Sequence, residues 1–301
     1  MRRAAMFTLV LSLGLTAGLS GCGQAPAGLD LRVGGPFGAR PTIAFPGGKP
    51  SAELRIDQLV AGAGTELRRD DVAIVQYTAH VWDGRRNRLV DSSFNRGTPA
   101  AFPVGRMLKG LDTALVGRRV GSRVAAAIPP KDGFGADPPR GLKAADGLVY
   151  VVDILGTYHQ GASAGTAGGS MAGVTVRPGV TPALHVPAAP APRAFVSKVL
   201  LRGKGPVTRA GQLLVTQHEG AVWGSRRVFD SSWRAGRPKA FALGVGDVLP
   251  GWDRALSGVP VGSRVVMVLP PAYGYGTAGL PAAGITATDT LAFVVDVLAA
   301  Y

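Results

Sequence analysis

The sequence predicts an α+β fold that occurs twice, each copy an antiparallel sheet with one short helix against one of its faces. Three observations support this prediction. The two halves of the chain repeat the same landmarks in the same order, most predicted elements are short strands, and a single short helical segment fits each half. The length of 301 residues also agrees with two domains of roughly 100–200 residues each.

The repeat consists of segments that return after a nearly constant spacing. Val90–Pro99 reads VDSSFNRGTP, and Val228–Pro238 reads VFDSSWRAGRP. Val120–Val124 and Val261–Val265 both read VGSRV, 141 residues apart. Because the order of the landmarks is kept, we infer the tandem duplication of a unit of roughly 100–110 residues.

Short apolar or alternating runs rich in β-branched residues predict the strands, and Pro-Pro pairs end two of them. A single helix is predicted over Gly251–Leu256, with its counterpart at Leu111–Leu115. The predicted strands are Ala73–Val81, Val124–Pro129, Tyr150–Leu155, Leu213–Trp223, Val265–Pro270 and Leu291–Leu298.

The first residues have the features of an export signal. Residues 1–21 combine two arginines with the apolar run Met6–Leu19, which predicts a signal peptide. Leu19–Cys22 reads LSGC and resembles the bacterial lipobox, in which the cysteine becomes the lipidated first residue. An ordinary signal peptide with a chance cysteine is the alternative. Since Cys22 is the single cysteine, no internal disulfide can form.

Composition divides the rest of the sequence. Residues 22–49 and 159–193 are rich in Gly, Ala and Pro, which predicts a tether and a linker that is first flexible and then semi-extended. They separate two domains, residues 50–158 and residues 194–301. This arrangement predicts a protein anchored through Cys22 at the outer face of a bacterial cell membrane.

The protein is strongly basic, with a formal net charge of +14. No nucleic-acid-binding motif accompanies this charge, so we expect no nucleic-acid partner. A basic surface on an exported protein could meet anionic lipids or wall polymers, or it could simply keep the protein soluble. The four histidines lack metal-ligand spacing, and we expect no metal and no cofactor; they are His80, His159, His185 and His218.

The landmarks of the second unit, in their order, resemble those of an FKBP-type peptidyl-prolyl cis-trans isomerase. The resemblance covers about Ala194 to Tyr301, and residues 50–158 carry a degraded version. It rests on the ordered set of segments Val228–Ser232, Phe241–Gly244, Val248–Trp252, Val261–Arg264, Pro270–Gly276 and Thr290–Leu298.

The resemblance implies a half-barrel sheet wrapped around a short helix, with a substrate pocket between them. It implies that Trp252 forms the floor, that Phe229 and Phe293 form walls, and that Tyr275 and the Leu249 amide donate hydrogen bonds. Asp230 would lie near the twisting amide. Phe241, Phe293 and Trp252 could equally be core residues. The remaining pocket residues implied are His218, Val248 and Ile285.

These residue types suit prolyl isomerisation. Rotation about the X–Pro bond breaks amide resonance, a barrier of about 18–20 kcal/mol. The twisted amide has lost resonance, so an apolar site with a few placed donors favours it over the planar form. The expected substrates are proline-containing segments of unfolded or newly exported proteins.

Two departures from the family pattern stand in the second unit. His218 occupies a position where the family usually has tyrosine, and it could pair with Asp230 and make activity sensitive to pH near neutrality. Ala235 and Lys239 occupy loop positions that are often basic and aromatic, so macrolide binding is in question.

The first unit departs further. It keeps Tyr77 and Asp91, but Leu111 replaces the floor tryptophan, Phe134 replaces the donor tyrosine, and Val90 replaces the wall phenylalanine. We therefore expect the first unit to be a weak isomerase or a binding module. The alternative for the whole protein is a non-catalytic chaperone or protein-binding lipoprotein. A small-ligand transport lipoprotein would need larger α/β lobes.

Overall fold

The computed structural model describes residues 29, 31–48 and 50–301. Two six-stranded antiparallel sheets of the same topology dominate it, one in the first domain (residues 50–158) and one in the second domain (residues 194–301). The tandem α+β prediction is therefore confirmed. The signal peptide and Cys22 lie outside the described residues.

In the first domain the sheet wraps around one main helix. The order of elements is β1 (Arg32–Gly34), β2 (Thr42–Ala44), β3 (Arg55–Val60), β4 (Val72–Trp82), β5 (Asn87–Ser92), α1 (Ser93–Arg96), β6 (Ala100–Pro103), α2 (Lys109–Leu115), β7 (Arg123–Ile128), a 3-10 turn (Pro130–Asp132) and β8 (Leu148–Tyr158). The sheet order is β3-β7-β8-β4-β5, and β6 pairs with the other end of β4.

The second domain repeats this plan. Its elements, with those that precede it, are β9 (Gly169–Met171), β10 (Val174–Arg177), β11 (Ala183–His185), β12 (Val196–Leu201), β13 (Leu213–Val222), β14 (Val228–Ser231), β15 (Lys239–Ala242), α3 (Pro250–Leu256), β16 (Arg264–Leu269), 3-10 turns (Pro271–Tyr273, Gly276–Ala278, Pro281–Ala283) and β17 (Leu291–Ala300). The sheet order is β12-β16-β17-β13-β14, with β15 on β13.

The helix of each domain packs on the inner face of its sheet. In α3, Trp252, Ala255 and Leu256 are buried against β16 and β17. A Cβ atom at Gly251 would lie 2.3 Å from a methyl carbon of Leu269, so glycine permits this close approach. Apolar residues alternate between the inner and outer faces of β16 and β17, and both faces are buried.

The outer face of each sheet is covered by the segment that precedes the domain. Hairpin β1-β2 covers the first domain, and the three-stranded sheet β9-β10-β11 covers the second domain. Val174 and Val176 are buried there against Trp223. The expectation of a flexible linker over residues 159–193 is therefore wrong, and residues 31–45 likewise pack on the fold. Composition misled because small residues also suit tight packing.

A buried ion pair fixes each covering segment. Arg264 is fully buried and donates to both carboxylate oxygens of Asp296, at 2.6 and 2.8 Å. Its remaining N–H groups donate to carbonyl oxygens of the covering segment, including those of Ala167 and Gly165. In the first domain, Arg123 and Asp153 form the same pair, and Arg123 donates to carbonyls in the β1-β2 turn.

The two domains meet through equivalent surfaces. Val72 and Ile74 pack with Leu213 and Val215 in one buried cluster, and the residues of each pair lie 141 positions from their counterparts. Among the described residues, no helix has the length and apolar character to cross a membrane.

Candidate active site

The second domain holds a cavity of about 400 Å³ beside α3. Seven of the residues implied by the family resemblance line it, so these predicted positions do converge in space. They come from β13, β14, α3, β17 and the loops beside α3: His218, Asp230, Val248, Leu249, Trp252, Tyr275 and Phe293.

Aromatic rings form the base of the cavity. The centroid of the Trp252 ring lies 5.3 Å from the ring centroid of Phe293, 5.5 Å from that of Phe241 and 5.1 Å from that of His218. Each of these contacts is edge to face. Such contacts favour a single ring arrangement beyond what apolar burial alone provides. Because α3 fixes Trp252 and β17 fixes Phe293, the apolar floor is built on regular elements.

A glycine on the neighbouring strand makes room for one of these rings. Gly220 stands opposite Phe293 in the β13-β17 register. A Cβ atom at Gly220 would lie 2.3 Å from Cε1 of Phe293, closer than any side chain tolerates. The first domain has Ala79 at this position, opposite Tyr150. The ring position of Phe293 therefore depends on the absence of a side chain at residue 220.

Asp230 lines the cavity, and two side chains hold its carboxylate. His218 Nε2 lies 3.0 Å from Asp230 Oδ2, and Lys239 Nζ lies 2.7 Å from the same oxygen. The hydrogen bond from His218, followed by that from Lys239, holds the pKa of Asp230 well below its usual range, although partial burial opposes this. Asp230 is therefore an anion at neutral pH.

His218 is buried, and burial lowers its pKa below the ordinary value even though Asp230 opposes that shift. A neutral imidazole that donates through Nε2 satisfies this geometry. The predicted pairing with Asp230 is present in the structure. Because its pKa is lowered, His218 takes up a proton at a more acidic pH than an ordinary histidine.

The recurring Asp-Ser-Ser segment has a structural task that the sequence did not reveal. The His218 N–H donates to Ser232 Oγ at 2.7 Å, and Ser232 Oγ donates to the Gln217 side chain. In the first domain, the Tyr77 N–H donates to Ser93 Oγ at 2.8 Å. The second serine thus ties β13, which carries residue 218, to the end of β14, which carries Asp230.

Two potential donors face the cavity without a partner among the described residues. The Leu249 N–H precedes the first turn of α3 and donates to no acceptor. The Tyr275 side chain lines the cavity, and its hydroxyl makes no hydrogen bond. Within the described part of the protein, the Trp252 indole N–H is also buried without an acceptor. The Leu249 N–H and the Tyr275 hydroxyl are therefore available to carbonyl oxygens of a bound peptide.

Two implied pocket residues do not line the cavity. Phe229 packs edge-on against Phe293 and Tyr275, at 5.6 and 6.5 Å between ring centroids, and Ile285 is buried in the core. Both support the walls. The lining residues that the sequence did not assign to the pocket are Lys239, Ala240, Phe241 and Asp247. Phe241 is a landmark of the family motif order that could also be a core residue, and its place between Asp230 and Trp252 was a usable signal for the cavity.

The first domain retains a different part of the site. Asp91 is bound by Tyr77 and Arg96, so the cation that holds the aspartate comes from α1 there. Leu111 is buried in the core, and Phe134 packs beside it. Tyr150, which the sequence patterns did not assign to the pocket, stacks against Tyr77 at 6.1 Å.

The second-domain cavity suits an apolar ring bound beside a peptide group. Rings cover its base, polar groups lie at its edge, and the Asp230 carboxylate is held by two partners. Such an environment stabilises an amide that has lost resonance and part of its dipole relative to water. Among the described residues, no group of three His, Cys, Asp or Glu side chains could hold a metal ion.

Comparison with known proteins agrees with this geometry. The family model described as FKBP-type peptidyl-prolyl cis-trans isomerase matches residues 64–155 and 205–298, more than half of the chain. An FK506-binding protein of Streptomyces anulatus is 35% identical over 118 residues, covering 39% of this chain and 95% of that protein. The isomerase FkpA of Escherichia coli K12 is 34% identical over 104 residues, covering 35% of this chain.

The matched residues span 37% of the length of FkpA. Among solved structures, one match is the structure of the three FKBP domains of wheat FKBP73. The match covers 82% of this chain and 94% of the wheat chain, with 21% identity and a TM-score of 0.33. The two matched regions coincide with the two sheets, and the aromatic cavity lies in the second. The chain belongs to the FKBP-type peptidyl-prolyl cis-trans isomerase family and carries two of its domains in tandem.

Proposed function

We propose that the second domain carries most of the isomerase activity. The observation that supports this proposal is the aromatic floor of Trp252 and Phe293, together with the free Tyr275 hydroxyl. In the first domain, Leu111, Tyr150 and Phe134 take these three places. The substrates are prolyl bonds in unfolded or newly exported polypeptides.

A pair of matched variants in the full-length protein tests this assignment. Trp252→Leu introduces the residue of the first domain, and we expect prolyl isomerisation to fall at least about tenfold, or about 1.4 kcal/mol of activation free energy. Leu111→Met conserves volume at the equivalent position and leaves activity within about twofold. Far-UV circular dichroism confirms that both variants fold. Equal losses in both variants, or full activity in Trp252→Leu, would refute the assignment.

We further propose that the protein is a lipoprotein at the outer face of the cell membrane. The LSGC segment at Leu19–Cys22 supports this proposal. In a bacterial host that processes lipoproteins, the protein should incorporate a labelled fatty acid and sediment with membranes. Cys22→Ser should abolish both properties. Continued incorporation of label by this variant would contradict the proposal.

A further inference from the structure

The first domain has a cavity of its own, of about 280 Å³, beside the 135–142 loop. Phe134, Asp91 and Tyr150 line it, and these are the counterparts of Tyr275, Asp230 and Phe293. The cavity also has two arginines at its rim, Arg88 and Arg140. It therefore shares three positions with the second-domain site but presents different chemistry.

The Tyr150 hydroxyl is the distinctive group of this cavity. Tyr150 is only 8% exposed, yet it lines the cavity, and its hydroxyl has no hydrogen-bond partner among the described residues. Burial raises the pKa of Tyr150, and the nearby Tyr77 and Asp91 raise it further, so the hydroxyl keeps its proton. A polar group in such a place is costly unless it meets an acceptor.

Two arginines and one carboxylate line the cavity. The Arg140 guanidinium makes no ion pair or hydrogen bond within the described part of the protein, and Arg88 donates to the Gly141 carbonyl at 2.9 Å. Asp91 is the one carboxylate on the cavity surface, and its oxygens already accept bonds from Tyr77, Arg96 and the Ser92 N–H. The polar groups of this cavity that still lack a hydrogen-bond partner are therefore donors.

We propose that the first-domain cavity binds a carboxylate of a polypeptide, with the Tyr150 hydroxyl and the Arg140 guanidinium as its donors. The carboxylate could belong to an acidic residue or to the C-terminus of that polypeptide, since the same donors serve both. Hydrogen bonds between a charged acceptor and such donors are short and strong. This proposal is independent of which domain carries the isomerase activity.

Calorimetric titration of the full-length protein with three short peptides tests it. One peptide carries a central glutamate and an amidated C-terminus, the second has glutamine in its place, and the third has glutamine and a free C-terminal carboxylate. We expect at least one carboxylate peptide to bind at least about tenfold more tightly than the neutral peptide. The arm that gains affinity identifies the source of the carboxylate.

Variants assign that gain to the cavity. Tyr150→Phe removes one hydroxyl and introduces the residue found at this position in the second domain, and Arg140→Gln removes the rim charge. Each should reduce the carboxylate preference at least about fivefold. Arg177→Gln, at an exposed arginine on β10, is the control for overall charge and should leave the preference unchanged.

Two results would overturn the proposal. One is equal affinity for all three peptides. The other is a preference that survives both Tyr150→Phe and Arg140→Gln. Thermal unfolding checks that Tyr150→Phe folds, and if it does not, Arg140→Gln alone decides, since its side chain lies on the surface.

Discussion

The imidazole Nε2 of His218 lies 3.0 Å from Oδ2 of Asp230, where the first domain pairs the Tyr77 hydroxyl with Asp91. In the second domain, the aspartate is therefore held by a histidine, a side chain that can take up a proton. Because burial lowers the pKa of His218, the folded state takes up a proton less readily than the unfolded state.

This relationship predicts a loss of stability in acid. Below about pH 6.5 the unfolded state binds a proton at His218 while the folded state does not, so the free energy of unfolding falls as pH decreases. His218→Tyr should remove this component. Urea unfolding of both proteins between pH 5 and 8 measures it, and the stability difference should change most below pH 6.5. Parallel stability curves for the two proteins would contradict the prediction.

The contact between Gly220 and Phe293 predicts the effect of adding one methyl group. Gly220→Ala forces the Phe293 ring out of place, and we expect a loss of about 1–3 kcal/mol in stability and a clear fall in isomerase activity. The matched change Ala79→Gly in the first domain should leave isomerase activity unchanged. Full activity in Gly220→Ala would show that the site does not need this ring position.

The buried pair of Arg264 and Asp296 predicts a large effect on stability. Arg264→Met leaves the Asp296 carboxylate buried without its counter-charge, which should cost about 3–5 kcal/mol in the free energy of unfolding. Replacing both residues, by methionine and leucine, should recover much of this loss. Denaturant titration measures each variant, and Arg177→Met serves as the surface control. A loss below about 1 kcal/mol would argue against the role given to this pair.

The sequence was sufficient to predict the duplicated sheet, the single main helix of each domain and most of the cavity. Those features depend on local periodicity and on an ordered set of motifs around Asp230 and Trp252. The helix over Gly251–Leu256 was correct to within one residue, because apolar spacing and the preceding proline mark its start.

The remaining features depend on distant contacts that no local pattern encodes. Gly, Ala and Pro in residues 159–193 suggested a flexible linker, but apolar residues such as Val174 pack on the sheet. Whether Phe229 and Ile285 line the cavity depends on how the neighbouring rings pack together. The free hydroxyl of Tyr150 could not be inferred from a segment that looks like any buried strand.

The two buried arginine–aspartate pairs also indicate where each of the two repeated units begins. Each copy includes the covering segment that precedes it in the chain. The connection between the copies is therefore the short stretch from Tyr158, where β8 ends, to Ser163, which donates to Asp296. A fragment cut at residue 194 would bare the valines and tryptophan beneath β10 and leave Arg264 without its carbonyl partners. The self-sufficient unit of this protein is thus longer than the matched family domain, and excision of an active second copy should begin before residue 163.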